Sequence, residues 1–248
     1  MSEDKKFQEF YSKEAEVYEQ RRYETPYGLL FRRLHHALLS KELAKVPVSA
    51  KCLEVACGTG HTTRLLAQYF DTVTACDLTP AMMSKNQKSE NVSNVEYLQA
   101  NAFELPFPDN SVEVLVSTRF LHLFPWHDQA RLFEEFHRVL VPGGRLLIDF
   151  DNIVPRWLYV LPHFIYNLLR YKRAAPFSIY NFSGATMKAI ANTGFENLNS
   201  QGVGGWHLAF INKISTALSY RLGLKHRNLP LRLIAEQFLI SGTKKISS

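Results

Sequence analysis

Short apolar runs that alternate with longer segments of helical periodicity organise the first 150 residues. The runs occur at 51–55, 72–76, 95–98, 112–117 and 145–150. Such short runs, rich in valine, isoleucine and leucine, are typical of strands buried on both faces of a parallel sheet. Between them, 62–70 and 126–140 place apolar side chains at the three- and four-residue spacing of a helix. This alternation predicts an α/β fold with a doubly wound, mostly parallel sheet and helices on both faces.

Helices are predicted before this alternating region, and a less regular segment follows it. Aromatic residues recur at helical spacing over 7–22, and Pro26 suits the first turn of a second helix. After residue 150 we predict helices at 156–173, 183–191 and 208–224, and strands at 197–203 and 237–242.

These elements predict a single domain, 1–248, with a sheet of about seven strands. Its expected parts are N-terminal helices (1–48), a core (49–150), a helical cap inserted after the fifth strand (151–182), and a C-terminal part of the sheet with a helical insertion (183–248).

Composition and charge narrow the class of protein. The 248 residues are 46% hydrophobic and carry a net charge of +6, spread in small groups. That spread differs from the dense basic stripe of a dedicated nucleic-acid-binding protein. Cys52, Cys57 and Cys76 have neither disulfide-framework nor metal-ligand spacing, so no metal is expected. The N-terminus does not resemble a secretory signal, which predicts a reducing, cytoplasmic setting.

A glycine-rich turn follows the first predicted strand, in the segment CLEVACGTGHTT at 52–63. A strand, a glycine turn and a helix form an arrangement that binds phosphate or ribose groups near a helix N-terminus. A dinucleotide site would have a third glycine where Thr63 stands, and Glu54 would repel a pyrophosphate. Glu54 would instead suit an ammonium group. We therefore expect Glu54, Gly58 and Gly60 to bind a nucleoside that carries an amino-acid tail and no phosphate.

A second acid, Asp77, ends the second predicted strand, about 20 residues after the glycines. An acid at that place can accept hydrogen bonds from ribose hydroxyls. Thr79 is better placed to cap the helix that starts at Pro80. This leaves Asp77 as the predicted ribose-binding residue.

Four segments occur in the order and spacing of motifs in the S-adenosylmethionine-dependent methyltransferases. They read LEVACGTG, ACDLTPAMM, QANAFELPFPDNSVEVLVS and RVLVPGGRLLI. Roughly over 11–150, the chain resembles the class I small-molecule group that includes the ubiquinone/menaquinone C-methyltransferases. The first motif departs from that family at Ala56, where a glycine is usual. The resemblance implies a Rossmann-like fold, methyl transfer and S-adenosylmethionine as cofactor.

The resemblance also implies roles for individual residues. Leu78 and Met82 would flank the adenosine, and Ala102 and Phe103 would lie at the adenine beside Asn101, which stands where the family usually has aspartate. The segment FYSKEAEVYEQRR resembles the N-terminal helix that closes over the cofactor. The complete predicted cofactor set is Tyr11, Tyr18, Arg22, Glu54, Ala56, Gly58, Gly60, Asp77, Leu78, Met82, Asn101, Ala102, Phe103 and Ser117.

Candidates for handling the methyl acceptor follow the fourth strand, because open α/β sheets bind ligands beyond the carboxyl ends of their strands. His122 could be a general base or could orient the substrate, and it could equally pack under a helix. Arg119 could hold an acidic substrate or lie at the surface. His207 is a further candidate for substrate binding.

For several classes of methyl acceptor, this chain lacks the residues that the methylation chemistry requires. Amino-methylating nucleic-acid enzymes resemble one another in an Asp/Asn-Pro-Pro-Tyr-type motif after the fourth strand, where this chain has STRF. Methylation of pyrimidine carbon 5 requires a cysteine nucleophile, and all three cysteines lie on or beside the first two strands. Metal-assisted catechol methylation requires acidic ligands after the fourth strand, and none occurs there.

The predicted cap is rich in aromatic residues, which favours a hydrophobic acceptor such as a polyketide, a quinone or a lipid-like molecule. Trp157 and Tyr159 would bind it, with Phe164, Tyr166 and Phe177 nearby. The alternative is that these side chains pack the cap onto the domain. The segment 153–173 could also lie on a membrane surface. An RNA or protein methyltransferase and a non-catalytic cofactor-binding protein stay open as alternatives, as does the oligomeric state.

Overall fold

A seven-stranded sheet is the centre of the molecule in a computed structural model that describes residues 3–89, 93–152, 183–225 and 235–246. The strands are β1 (Cys52–Val55), β2 (Val73–Asp77), β3 (Val95–Gln99), β4 (Val112–Ser117), β5 (Leu140–Asp151), β6 (Phe195–Val203) and β7 (Gln237–Lys244). Their order is β3-β2-β1-β4-β5-β7-β6. The first five are parallel, and β7 runs antiparallel between β5 and β6. This confirms the mostly parallel, doubly wound sheet.

Helices flank the sheet, and most of them lie where the sequence predicts helical segments. They are α1 (Glu3–Glu14), α2 (Tyr18–Tyr23), α3 (Pro26–Leu43), α4 (Thr63–Tyr69), α5 (Pro80–Ser89), α6 (Trp126–Val139), α7 (Ser183–Asn192), α8 (Trp206–Asn212) and α9 (Thr216–Lys225), with a 3₁₀ turn at Leu121–Leu123. Thr25 precedes Pro26, where α3 was predicted to start. Its side chain caps α3 by accepting a hydrogen bond from the backbone N–H of Gly28 at 3.0 Å.

Two apolar clusters cover the two faces of the sheet, as buried parallel strands require. One packs α6 and α7 against the sheet and includes Phe133, Phe136 and Phe150. The other packs α3 and α4 against the opposite face and includes Leu39 and Leu66. The strands alternate between the clusters: Leu115 faces the first, whereas its neighbours in β4 face the second. Both faces of the central strands β1 and β4 are therefore covered, which leaves the ends of these strands as the place for a ligand.

Three boundaries differ from the sequence prediction. The N-terminal helix predicted over 7–22 is two helices, separated at 15–17. The helix predicted over 208–224 is also two, because a turn at 213–215 separates α8 from α9. The fifth strand, predicted at 145–150, begins earlier and runs through the Pro-Gly-Gly segment, with a register shift opposite Val112 and Val114. A register shift of this kind accommodates proline and glycine within a strand. The predicted cap lies outside the described residues.

The order of the strands decides where a ligand can bind. The chain builds outward from β1 through β2 to β3, then returns to place β4 on the other side of β1. The connections leaving β1 and β4 therefore diverge and open a crevice at their carboxyl ends. The glycine turn follows β1, and the STRF segment lies at the end of β4.

Candidate functional site

A cavity occupies this crevice and encloses about 790 Å³ of space, counting its open mouth. It is lined by Phe7, Tyr11, Tyr18, Val55, Ala56, Gly58, Asp77, Leu78, Thr79, Met82, Ala100, Asn101, Ala102, Phe103, Arg119, Phe120, Leu123 and Phe124. Most of the predicted cofactor residues thus meet in one cavity. Arg22, Glu54, Gly60 and Ser117 of the predicted set do not line it.

The two glycines of the turn serve different physical needs. Both have positive φ, +53° at Gly58 and +90° at Gly60, which disfavours residues with a Cβ. A Cβ on Gly58 would meet only Met82 Cε, at 3.6 Å, so this glycine leaves room in the cavity. A Cβ on Gly60 would overlap the side-chain amide of Asn86. Gly60 is therefore required for packing the turn, whereas Gly58 belongs to the cavity wall.

Ala56 adopts φ +61°, a left-handed conformation that alanine rarely takes. This strain explains why the family usually has glycine at this place, and it costs on the order of 1–2 kcal/mol. The turn after β1 therefore stores strain directly at the cavity wall.

Asp77 holds the glycine turn in place and faces the cavity. Its Oδ2 accepts the backbone N–H of Gly58 at 2.9 Å, and its Oδ1 accepts that of Thr79 at 2.8 Å. Asp77, rather than Thr79, therefore makes the cap-like contact at the start of α5. Burial raises the pKa of this carboxyl, although the bonds from Thr79 and Gly58 oppose the rise. One carboxylate thus links β2, the glycine turn and α5.

Glu54 points into the protein and does not line the cavity, and its predicted contact with an ammonium group stays a prediction. Its side chain is buried, and its Oε2 accepts the hydroxyl of Thr63 at 2.6 Å. Asn86 donates in turn to the Thr63 hydroxyl at 2.9 Å. Burial raises the pKa of Glu54 to about 8, so the carboxyl is mostly protonated at neutral pH. Glu54 therefore braces the turn from beneath.

The strand end opposite the glycine turn is formed by Asn101, Ala102 and Phe103. The Oδ1 of Asn101 accepts the backbone N–H of Phe103 at 3.0 Å, which fixes this bend. The ring of Phe103 packs edge-on against Phe124, with centroids 5.1 Å apart. Together with Leu78 and Met82 from the β2–α5 connection, these residues line one end of the cavity with mostly apolar surface.

The N-terminal helices form the roof of the cavity. Phe7 packs against Phe124 at 5.7 Å, and Tyr11 lies next to Tyr18, with centroids 6.5 Å apart. Gln8 donates to the carbonyl of Leu78 at 2.9 Å, which ties α1 to the cavity floor. Burial raises the pKa of Tyr11 above its usual range, with the neighbouring Tyr18 adding to the rise. The hydroxyl of Tyr11 is therefore neutral and available as a hydrogen-bond donor.

A polar clamp fastens the second N-terminal helix to the glycine turn. Glu19 accepts from Arg64 at 2.8 Å and from the Thr59 hydroxyl at 3.0 Å. Arg64 also donates to the carbonyl of Thr59 at 3.0 Å. Arg22 lies outside this clamp: it is exposed, and its guanidinium stacks over Tyr18 at 5.4 Å. Arg22 thus contacts the roof of the cavity at Tyr18, and its predicted contact with a cofactor stays a prediction.

Arg119 brings the only side-chain cation among the described residues that line the cavity. It follows β4 with φ +57°, and its guanidinium lies 6.0 Å from the ring centre of Tyr23 and 5.9 Å from that of Phe31. Among the described residues, the Arg119 guanidinium forms no ion pair with a carboxylate within 4.0 Å, and its buried Nε has no hydrogen-bond partner. A partly buried arginine in this state is suited to bind an anionic group.

The acids nearest to Arg119 along the sheet are already engaged. Asp149 accepts the backbone N–H of Arg119 at 2.6 Å, and its other oxygen lies 3.0 Å from His35 Nε2. Asp151 accepts from Gln237 at 2.6 Å. His61, directly after Gly60, stacks on Tyr23 at 4.1 Å and completes this buried layer. These contacts hold the Arg119 backbone in its strained turn.

Besides Arg22, Glu54 and Gly60, three further predicted residues do not line the cavity, and two fall outside the described residues. His122 is buried in the 3₁₀ turn, where burial lowers its pKa although Asp151 opposes this, and its role as a base stays a prediction. Ser117 is buried at the end of β4. His207 lies on α8 and does not line the cavity. Trp157 and Tyr159 fall outside the described residues.

Sequence reasoning missed several residues that line the cavity: Phe7, Val55, Thr79, Ala100, Phe120, Leu123 and Phe124. Phe7 precedes Tyr11 by one helical turn, so the shared face of α1 was a usable signal. The run RFLHLF after β4 was another, because an apolar run just beyond a strand end lies at the crevice.

Comparison with known proteins confirms the resemblance seen in the motifs. Residues 53–148 match the family model described as a methyltransferase domain. Over 110 residues the chain is 36% identical to a demethylmenaquinone methyltransferase of Bacillus licheniformis, which covers 43% of this chain and 47% of that protein. Over 109 residues it is 34% identical to a fatty-acid O-methyltransferase of Mycolicibacterium smegmatis, covering 43% and 38%. The chain thus spans about half or less of the length of these relatives.

The fold is shared with solved structures at low sequence identity. The structure of a DhpI–SAH complex matches with a TM-score of 0.65 and 15% identity, covering 96% of this chain and 95% of that one. The Rossmann-like fold is therefore confirmed. Among the described residues, no helix combines the length and apolarity needed to cross a bilayer, and no group of three acidic, histidine or cysteine side chains is arranged to hold a metal.

Proposed function

We propose, from the premise that residues 53–148 form a methyltransferase domain, that this chain transfers a methyl group from S-adenosylmethionine to a hydrophobic small molecule. The observation that carries the proposal is the convergence of Asp77, the glycine turn and the Asn101–Phe103 bend on one cavity. A ribose fits beside Asp77, and an adenine fits the mostly apolar end of the cavity at Phe103. Because such a ligand carries no phosphate, the site needs no phosphate-binding group.

The residues present suit each part of this cofactor. Asp77 has remaining acceptor capacity on both oxygens, because a carboxylate accepts about four hydrogen bonds in total. Tyr11 and Tyr18 line the roof and offer hydroxyl groups to the amino-acid tail. When bound, the cofactor supplies an electrophilic methyl group. The chain then has to align the acceptor in line and exclude water, and such positioning is worth up to about 7–11 kcal/mol in well-oriented systems.

The acceptor side combines apolar walls with one cation. Phe120, Leu123 and Phe124 supply the walls, and Arg119 supplies the charge. The proposed acceptor is therefore amphipathic: a hydrophobic body with a carboxylate, phenolate or enolate that Arg119 holds. Such an acceptor is itself the nucleophile, so no separate base is needed to remove its proton. His122 would then orient the 3₁₀ turn, and base catalysis by His122 is a weaker alternative.

The names of the two relatives are consistent with an acceptor of this kind. One is a demethylmenaquinone methyltransferase, and the other is a fatty-acid O-methyltransferase. Both names describe acceptors with a long apolar body. They support a lipid-like or quinone-type acceptor for this chain without choosing between carbon and oxygen as the methylated atom.

The first experiment tests the cofactor. S-adenosylmethionine is titrated into the protein by calorimetry, with NAD as the competing ligand and an Asp77→Ala variant alongside. The matched control is Asp71→Ala, which removes an exposed aspartate before the same strand. We expect binding in the parent and in the control, and loss of binding in Asp77→Ala. Binding of NAD in preference would overturn the proposal.

A second experiment tests the acceptor class. Free fatty acids, demethylated naphthoquinones, bulk tRNA and a mixture of basic peptides are incubated with labelled cofactor. We expect label transfer to one of the two lipid-like classes. Transfer to tRNA or peptide alone would favour an RNA or protein methyltransferase. Cofactor binding without transfer to any class would favour a non-catalytic binding protein.

A further inference from the structure

The α8–α9 hairpin, residues 206–225, is firmly packed on its inner side. Leu208, Ser219 and Gly223 are buried, and the Ser219 hydroxyl donates to the carbonyl of Leu208 at 2.8 Å. A Cβ on Gly223 would lie 2.5 Å from Leu34 Cδ1, so glycine permits close contact with α3. Asn212 adds a bond to the carbonyl of Pro26 at 3.1 Å. The inner apolar side chains of the hairpin are thus buried against the rest of the protein.

The outer side of the same hairpin displays large apolar side chains. Phe210, Ile214 and Leu218 have 66%, 78% and 49% of their surface exposed. They follow one another at four-residue intervals through the end of α8, the connecting turn and the start of α9. Leucine, isoleucine and phenylalanine each favour burial by roughly 1.5–3 kcal/mol, so a cluster of them at a tip indicates a partner.

Basic residues surround this apolar tip. Lys213, Arg221 and Lys225 are exposed on the hairpin, and the exposed Arg33 of α3 stacks over Tyr220 at 4.9 Å. No acidic residue occurs in the sequence between Glu196 and Glu236. Residues 152–248 carry 12 basic and 2 acidic residues, a formal charge of +10, against 17 and 21, or −4, for residues 1–151. The hairpin thus belongs to the part of the sequence that carries the positive net charge.

We propose that the α8–α9 hairpin docks on the surface of an anionic lipid bilayer. Phe210, Ile214 and Leu218 enter the boundary between headgroups and acyl chains, and Lys213, Arg221 and Lys225 meet the anionic headgroups. Apolar insertion combined with basic residues is the two-part signal that peripheral membrane binding requires. The surface differs from the segment 153–173 considered from sequence, and it does not depend on methyl transfer.

The composition of the tip decides among possible partners. Nucleic acid would bind the basic residues but would leave the three apolar side chains exposed to water. A second copy of the chain would bring Lys213, Arg221 and Lys225 near their own equivalents, which repel. An anionic bilayer satisfies both sets of side chains at once.

The test is flotation of the full chain with vesicles of phosphatidylcholine alone and with phosphatidylglycerol added. Two variants separate the contributions: F210S/I214S/L218S removes the apolar tip, and K213Q/R221Q/K225Q removes the charge. The matched control, V48S/I246S, removes two exposed apolar residues elsewhere. We expect the parent and the control to bind the anionic vesicles, and each hairpin variant to bind at least about tenfold more weakly. Added salt should weaken the parent and affect the charge variant little.

A fluorophore provides a readout that is independent of flotation. It is attached at Ile214→Cys or, as the control, at Val48→Cys, because the three native cysteines are buried. We expect a blue shift with anionic vesicles for the label at 214 only. Unchanged vesicle binding by both hairpin variants would overturn the proposal. So would binding of tRNA without vesicle binding, or a dimer that only the apolar variant dissociates.

Discussion

Residues 1–151 and 152–248 differ in charge, in the placement of apolar residues and in their share of the cavity. Every described residue that lines the cavity falls between Phe7 and Phe124. The first region has a formal charge of −4 and the second +10. The second contributes β6 and β7 to the sheet and displays apolar side chains outward on the hairpin.

The comparison indicates a division of labour within one sheet. The first region uses backbone turns, buried acids and aromatic walls to build a concave site, and these require close packing. The second region presents exposed charged and apolar side chains, and these features do not require close packing. Substitutions in the first region should therefore reduce stability, cofactor binding or catalysis, whereas those in the second should leave cofactor binding unchanged.

The largest effect is expected from Gly60→Ala. Its Cβ would overlap Asn86, and φ +90° would strain any residue other than glycine. We expect the free energy of unfolding to fall by about 2–5 kcal/mol, with loss of cofactor binding. Chemical denaturation and calorimetry measure the two effects. In Gly58→Ala the strain remains but the overlap does not, so its stability loss should be clearly smaller; equal losses would contradict the packing role of Gly60.

The next effect concerns Arg119→Gln, which keeps size and polarity but removes the charge. We expect KM for the acceptor to rise about tenfold or more, because hydrogen bonds to charged groups contribute about 1.5–3 kcal/mol. The dissociation constant of the cofactor should change little. Arg22→Gln is the control, since that guanidinium is exposed over Tyr18. An unchanged KM in Arg119→Gln would remove the anionic acceptor.

Glu54→Gln should change how stability depends on pH. The folded-state pKa of Glu54 is raised from 4.5 to about 8, so its protonated form stabilises the fold fully below 4.5 and this contribution is lost as pH rises through 8. Glutamine is neutral throughout and can still accept from Thr63. The melting temperature of the variant relative to the parent should therefore increase across this window. A constant difference would contradict burial of a neutral carboxyl.

The smallest effect is expected from Gly223→Ala in the second region. Overpacking against Leu34 costs about 1–3 kcal/mol, whereas alanine favours a helix by about 1 kcal/mol over glycine. The net loss of stability should be at most about 2 kcal/mol, and cofactor binding should be unchanged. Denaturation and calorimetry test this. Loss of cofactor binding would show that the hairpin and the cavity are coupled, which would break the comparison between the regions.

Local sequence determined the elements and the turn chemistry of this protein. Strand periodicity, the Thr25-Pro26 start of α3 and the glycines of the turn depend on neighbours within a few residues, so they could be predicted. Asp77 was predicted at the site for the same reason: its distance from the glycine turn is set by one helix and one strand.

Tertiary structure alone decided the direction of side chains and the meeting of distant segments. Glu54 was expected to face the ligand, but Thr63 and Asn86 hold it beneath the turn, and that choice depends on packing between β1, α4 and α5. The engagement of Asp149 by His35, which leaves Arg119 to the cavity, joins residues 114 positions apart. The apolar tip of the α8–α9 hairpin also has no sequence signature. Its residues have the same hydrophobicity as core residues, and only the close packing of the hairpin on α3 determines which of them remain exposed.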